Sequence, residues 1–160
     1  MANIVQWQDL FVILDDGHVS IQEYERLYPL LQAQAKRCPE GLACLVIIPE
    51  RAITPPSAVR NYLAGMLAHL PIRALGYLVE GTGFKAATVR AVLIGLGIFQ
   101  RNDCPSKVFT ALHIGLGWLL TGPKRQSDVR HAMQAISEWR AESKWDDDQA
   151  ALEMSRRTSK

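Results

Sequence analysis

Two short apolar runs open the chain, Ile4-Val5-Gln6-Trp7 and Leu10-Phe11-Val12-Ile13-Leu14, with Gln8-Asp9 between them. Rich in β-branched and aromatic residues and parted by two polar ones, they predict an N-terminal hairpin. Gly17 ends it, and the apolar period then changes from two to about 3.6. Ser20 and Glu23 have capping-box spacing, with Val19 and Tyr24 in the two positions of a hydrophobic staple, so a helix is expected to start at Ile21. Ile21, Tyr24, Leu27, Tyr28 and Leu31 form its apolar stripe. Pro29 lacks an amide and meets the carbonyl of Glu25, which predicts a kink or break.

Leu42 to Ile48 is continuously apolar, the pattern of a central strand covered on both faces. After Pro49, Thr54 is placed to cap a helix whose first turn takes Pro55 and Pro56, and Val59, Tyr62, Leu63, Met66, Leu67 and Leu70 continue its stripe up to Pro71. Ile72 to Val79 predicts another buried strand, Gly81-Thr82-Gly83 a turn, and Phe84 to Phe99 a helix apolar nearly all round. In that helix Ala87, Ala91 and Gly95 recur every four residues, a ridge of small residues suited to close packing. Lys107-Val108-Phe109 predicts a last short strand, and Thr110 a cap for a helix running through Trp118-Leu119-Leu120 to Gly122-Pro123. Ile94-Gly95-Leu96-Gly97 recurs as Ile114-Gly115-Leu116-Gly117, but one pair is too few for a repeat architecture.

Strands alternating with helices imply an α/β fold: a mixed, mostly parallel sheet with an N-terminal hairpin and helices packed against it. Residues 1–122 are read as this domain, 123–154 as an amphipathic helical extension and 155–160 as a disordered tail. Val129, Met133, Ile136 and Trp139 share one face of the extension and form an expected docking stripe, against the chain's own domain, a second copy or a partner helix.

Charge refines this picture. Residues 1–50 carry three basic and seven acidic side chains, residues 51–123 seven and two, and the remainder eight and seven. An acidic start beside a basic middle implies either internal complementarity or a polarised surface. The formal net charge of +2 and the scattering of Arg51, Arg60, Arg73, Lys85, Arg90, Arg101 and Lys107 without aromatic interleaving argue against a nucleic-acid surface. No apolar run approaches the ~20 residues of a membrane-spanning helix, and no leader pattern is seen, so a cytoplasmic protein is expected. Cys38, Cys44 and Cys104 lack CxxC spacing, which favours buried thiols over a disulfide framework or a zinc site.

The hairpin, the helix opening at Gly17-His18-Val19-Ser20, the strand Leu42 to Ile48 leading into a helix, and the closing strand Lys107 to Phe109 with Ala111 to Leu120 together resemble a STAS-like domain, over about residues 3–121. The family is typified by bacterial anti-sigma factor antagonists. The resemblance implies a regulatory or scaffolding module in signalling or assembly that binds protein partners and is not an enzyme. In those antagonists a phosphorylatable Ser opens the helix after the central strand. The matching segment here is Arg51-Ala52-Ile53-Thr54-Pro55-Pro56-Ser57, without the Asp and Gly of the motif. The resemblance thus makes Arg51, Thr54 and Ser57 the candidate partner-binding face, and Thr54 and Ser57 the candidate phosphosites.

Other chemistry is sparse. Gly81-Thr82-Gly83-Phe84-Lys85 is neither GxxxxGK[ST] nor GxGxxG; it leaves Thr82, Gly83 and Lys85 as a candidate anion site at a helix amino end. His18, His69, His113 and His131 are dispersed, with no HExxH, and no catalytic set can be drawn. Asp15-Asp16-Gly17-His18 is read as a turn and not a metal loop. No cofactor and no metal are expected. The alternative to a protein-binding module is a small-ligand domain, taking a lipid or nucleotide between the sheet and the third helix.

Overall fold

The computed structural model describes residues 3–95, 104–120 and 125–142. Along the chain these are β1 (Asn3–Trp7), β2 (Leu10–Leu14), α1 (Ile21–Ala35), β3 (Leu42–Ile48), α2 (Ser57–Ala68), β4 (Ile72–Val79), α3 (Phe84–Gly95), β5 (Ser106–Phe109), α4 (Leu112–Leu119) and α5 (Arg125–Glu142). The five strands form one sheet in the order β1-β2-β3-β4-β5. β1 and β2 are antiparallel, as a two-residue hairpin requires, and β2 through β5 run parallel. The α/β architecture with a mixed, mostly parallel sheet is therefore the one the pattern predicts.

Alternation inside the unbroken apolar runs explains both layers. Leu10, Val12 and Leu14 of β2, Ala43, Leu45 and Ile47 of β3, and Ala74 and Leu78 of β4 share one core with Leu116, Leu119, Ala132 and Ile136 of α4 and α5. Phe11 and Ile13, Cys44 and Val46, and Leu75 and Tyr77 point into the other, with Tyr24 and Leu31 of α1 and Met66 and Leu67 of α2. Strand side chains alternate between faces, so a sheet buried on both sides needs an apolar residue at every position. Consecutive adjacent parallel strands joined with one hand place their crossover helices on one face. The second face is thus left to α4 and α5. Gly76 sits beneath α4, where an added Cβ would lie 3.1 Å from a Leu119 methyl.

Several local expectations shift. Pro29 does not break α1, which is continuous; Pro29 and Glu25 are both exposed, so the carbonyl freed from the ladder is open to water. The capping box is complete: Glu23 N–H donates to Ser20 Oγ at 3.3 Å, and Ser20 N–H to Glu23 Oε2 at 2.8 Å. Thr54 does not cap α2. Proline disfavours helical geometry in the residue before it, and the consecutive prolines delay the helix to Ser57, with Pro56 at the cap and no side-chain cap bond. Thr110 likewise does not cap α4, which starts after Ala111 and ends at Leu119, with Leu120 extended. Ala87 and Ala91 are exposed, so the small-residue ridge is not the packed face of α3. Residues 96–99 of the expected third helix, and the tail, lie outside the described residues. Among the described residues no helix is long and apolar enough to cross a membrane.

The predicted α5 stripe divides. Ile136 is 2% exposed and Ala132 fully buried in the core shared with β2, β3 and β4, and Val129 and Trp139 pack against it. Met133, at 37% exposure, does not join them. The inward positions are 129, 132, 136 and 139, a three-four spacing that leaves 133 on the flank. Ile136→Ala should therefore cost about 2–4 kcal/mol by urea denaturation, and Met133→Ala less than about 0.5 kcal/mol. Equal small effects would show that α5 is not docked.

Candidate functional site

In parallel sheets functional groups collect where the strands end, and three loops meet at this edge. After β2 the chain turns through Asp15, Asp16 and Gly17, and each carboxylate accepts from an amide two residues on: Gly17 N–H donates to Asp15 Oδ1 at 2.9 Å and His18 N–H to Asp16 Oδ1 at 2.9 Å. Gly17 has φ +83°, and a Cβ there would fall 2.0 Å from the carbonyl oxygen of Ile53. Only glycine fits. The Ile53 amide in turn donates to the Asp16 carbonyl at 2.9 Å, and the Ala52 amide to the Pro49 carbonyl at 2.9 Å. The loop after β3 is thus tied to the loop after β2 before it reaches its prolines.

The loop after β4 completes the edge. Glu80 N–H donates to the Ile48 carbonyl at 2.9 Å, and Gly81, at φ +90°, leaves room for Glu50, whose Cγ an added Cβ would approach to 2.7 Å. Arg90 of α3 donates to the carbonyls of Val79 and Gly81 at 3.4 and 3.3 Å. Arg140 near the end of α5 pairs with Glu80 at 2.8 Å. The candidate face and the candidate anion site, far apart in sequence, are therefore neighbours on one rim, with α5 reaching it through Arg140.

Of the predicted residues, Thr54 and Ser57 are exposed, Ser57 as the first residue of α2, and Arg51 is half-buried. Arg60 Nη1 reaches back to the Pro55 carbonyl at 2.6 Å, further bracing the segment. Ile53, which the sequence did not single out, is 47% exposed. Thr82 and Gly83 are exposed and open space surrounds Gly83; the Lys85 side chain lies outside the described residues. The interaction-helix residues Val129, Ile136 and Trp139 are engaged in the core and do not reach this rim as a free surface. The space beneath α3 proposed for a ligand is bounded partly by side chains 84, 85 and 92–95, outside the described residues. At the opposite edge a solvent-open cleft of about 240 Å³ is lined by Leu67, Leu70, Pro71, Ile72, Leu75 and Cys104, among others.

Sequence reading took Asp15 for a turn residue and missed its partner Tyr24. Asp15 is 9% exposed, and its Oδ2 accepts from the hydroxyl of fully buried Tyr24 at 3.1 Å. Burial pushes its carboxyl above the ordinary 3.8, against the bonds from Gly17 and Tyr24, which lower it, while Asp16 adds to the rise. Burial also raises the Tyr24 hydroxyl, with the charge of Asp15 second. Glu23 is the converse: the Ser20 amide leads the effects that hold it down, to about 2. Cys44 is buried and its thiol pushed up to about 12, chiefly by burial, an inert thiol by that measure. Among the described residues no three His, Cys, Asp or Glu side chains are grouped to hold a metal ion.

These two carboxyls give pH dependences of opposite sign. The Asp15 contribution is fully present below 3.8 and lost as pH rises through its raised folded value; that of Glu23 is present above 4.5 and lost as pH falls toward about 2. Asp15→Asn should thus compare better with the parent at neutral pH than below 3.8. Ser20→Ala should cost about 1 kcal/mol at neutral pH, less in acid. Urea titrations across this range check both, and a pH-independent Asp15→Asn difference would refute the raised carboxyl. Comparison with protein families, curated proteins and solved structures finds no family model, no curated protein and no solved structure that matches this chain.

Proposed function

We propose that the protein is a non-enzymatic, STAS-like regulatory or scaffolding module that binds a protein partner through the loop between β3 and α2, in a bacterial signalling or assembly system. The observation that carries this reading is an exposed apolar side chain on a braced loop. Ile53 is 47% exposed although its own amide is fixed to Asp16, and it leads into exposed Thr54, Pro56 and Ser57. A loop already held by main-chain bonds and two prolines loses little conformational entropy on binding, so more of its contact energy appears as affinity. An apolar side chain ringed by contacts that exclude water can anchor the centre of an interface. The element order and the hairpin-plus-parallel sheet support the resemblance from which this placement came, while fold likeness alone leaves the partner open.

Charge should matter at the same place. A phosphate on Thr54 or Ser57 would add close to two negative charges at the amino end of α2, where helix amides favour an anion. Partners co-purifying with the full chain from its native host, identified by mass spectrometry and re-measured with pure components, provide the test. Ile53→Asp, Thr54→Glu and Ser57→Glu should each weaken the partner by about ten-fold or more, a change of about 1.4 kcal/mol, with the thermal transition unchanged. Met133→Glu, on the exposed flank of α5, serves as the control. Equal effects at both places, or recovery of a small molecule with no protein, would refute the reading.

A further inference from the structure

The sheet has an open side at β1. In an antiparallel ladder closed by a two-residue turn, paired residues alternate between exchanging both main-chain bonds and exchanging none. The register Trp7↔Leu10, Gln6↔Phe11, Val5↔Val12, Ile4↔Ile13 and Asn3↔Leu14 therefore turns the amides and carbonyls of Trp7, Val5 and Asn3 toward β2. Those of Ile4 and Gln6 turn away from it. Among the described residues no turn, loop or cap bond reaches either residue, and β1 has no strand on that side.

Edge strands of monomers are ordinarily blunted by a charge, a proline or a bulge. β1 has none of these: its sequence is Asn-Ile-Val-Gln-Trp and its register is unbroken. Ile4, Val5 and Trp7 pack against the two cores yet are only partly buried. Among the described residues these two donors and two acceptors are left to water, so they are open to another strand, and β1 is complementary to itself.

We infer that β1 is a homodimer interface, in which two copies pair β1 antiparallel across a two-fold axis at Val5 to make one continuous ten-stranded sheet. This does not depend on the partner-binding reading. The outward groups select the register. Ile4 opposite Gln6 of the second copy lets all four outward groups of each chain bond, places Val5 against Val5 as a non-bonded close pair, and overlaps the whole strand. No charged residue meets a like charge, because β1 has none. An axis normal to the sheet keeps α5 of both copies on one face and sends the two carboxyl edges to opposite ends. The interface is isologous and closes at two copies.

The test is the mass of the full chain in solution by sedimentation. The expected result is twice 17.9 kDa at micromolar concentrations. Gln6→Pro removes one outward amide per copy without touching the ladder to β2, and should raise the dimer dissociation constant about ten-fold or more. Ile4→Lys, which retains the backbone and adds a charge to the edge strand, should do the same, each with an unchanged far-ultraviolet dichroism spectrum. Val5→Cys should cross-link into a dimer on oxidation, while Gln6→Cys and the parent, with its three free thiols, should not. A chain that stays at 17.9 kDa, a dimer indifferent to both substitutions, or Ile4 and Gln6 amides protected from exchange in a monomer would each overturn the inference.

Discussion

The constraint on which the rest of the structure depends is the burial of β3 on both faces. Every residue from Leu42 to Ile47 is at most 2% exposed, and a strand so placed exposes no polar side to water. At roughly 25 cal/mol per Å² of apolar surface, covering only one side would leave the alternate side chains at a cost of several kcal/mol. The crossover helices α1 and α2 cover one face because parallel connections of one hand all lie there. The other must be covered by chain that comes after the last strand, which is what α4 and α5 do. An α5 that looked like an appendage in sequence thus closes the core.

This separates what was legible in the residues from what was not. Ser20, Glu23, Val19 and Tyr24 act through contacts within a few positions, so a local pattern sufficed to place the start of α1. The unbroken run from Leu42 to Ile48 announced a central strand by composition alone. Caps at Thr54 and Thr110 failed for a different reason. A hydroxyl before an apolar stripe can supply a side-chain cap but does not locate the first helical turn, and two prolines moved that turn past Thr54. At α5, equal apolarity of Met133 and Ile136 hid the fact that only one falls within reach of the sheet. The site was the least legible. Asp15 reads as a turn residue, and its second role, accepting from a tyrosine nine positions away, emerges only when α1 folds back on β2.

The carboxyl edge is organised by backbone more than by side chains. Two glycines with positive φ, Gly17 and Gly81, stand where a neighbouring loop presses against the chain, and each permits a contact that a Cβ would forbid. Main-chain bonds then run from one loop to the next, from Ile53 to Asp16 and from Glu80 to Ile48. Side chains are left over for other work. That is why an isoleucine can stand half-exposed at position 53 on a fixed backbone, whereas the more exposed Leu30 stands on the outer side of α1 with no second loop beside it to brace.

The uneven distribution of charge along the chain admitted two explanations, and geometry decides between them in part. Arg73 of the basic middle pairs with Asp9 of the acidic start at 2.6 Å, across 64 residues, and its Nη1 also donates to the Leu119 carbonyl at 3.0 Å. Arg140 pairs with Glu80 across 60 residues. Complementarity is therefore at least partly internal. Such half-exposed pairs are worth about 0–1 kcal/mol each, too little to hold the fold against the entropy of ordering it. Their value lies in place: one ties the hairpin turn to the start of β4 and the end of α4, the other ties α5 to the rim beside the exposed loop. Apolar burial supplies the stability, and these ion pairs add contacts between segments that are remote in sequence but already brought together by it.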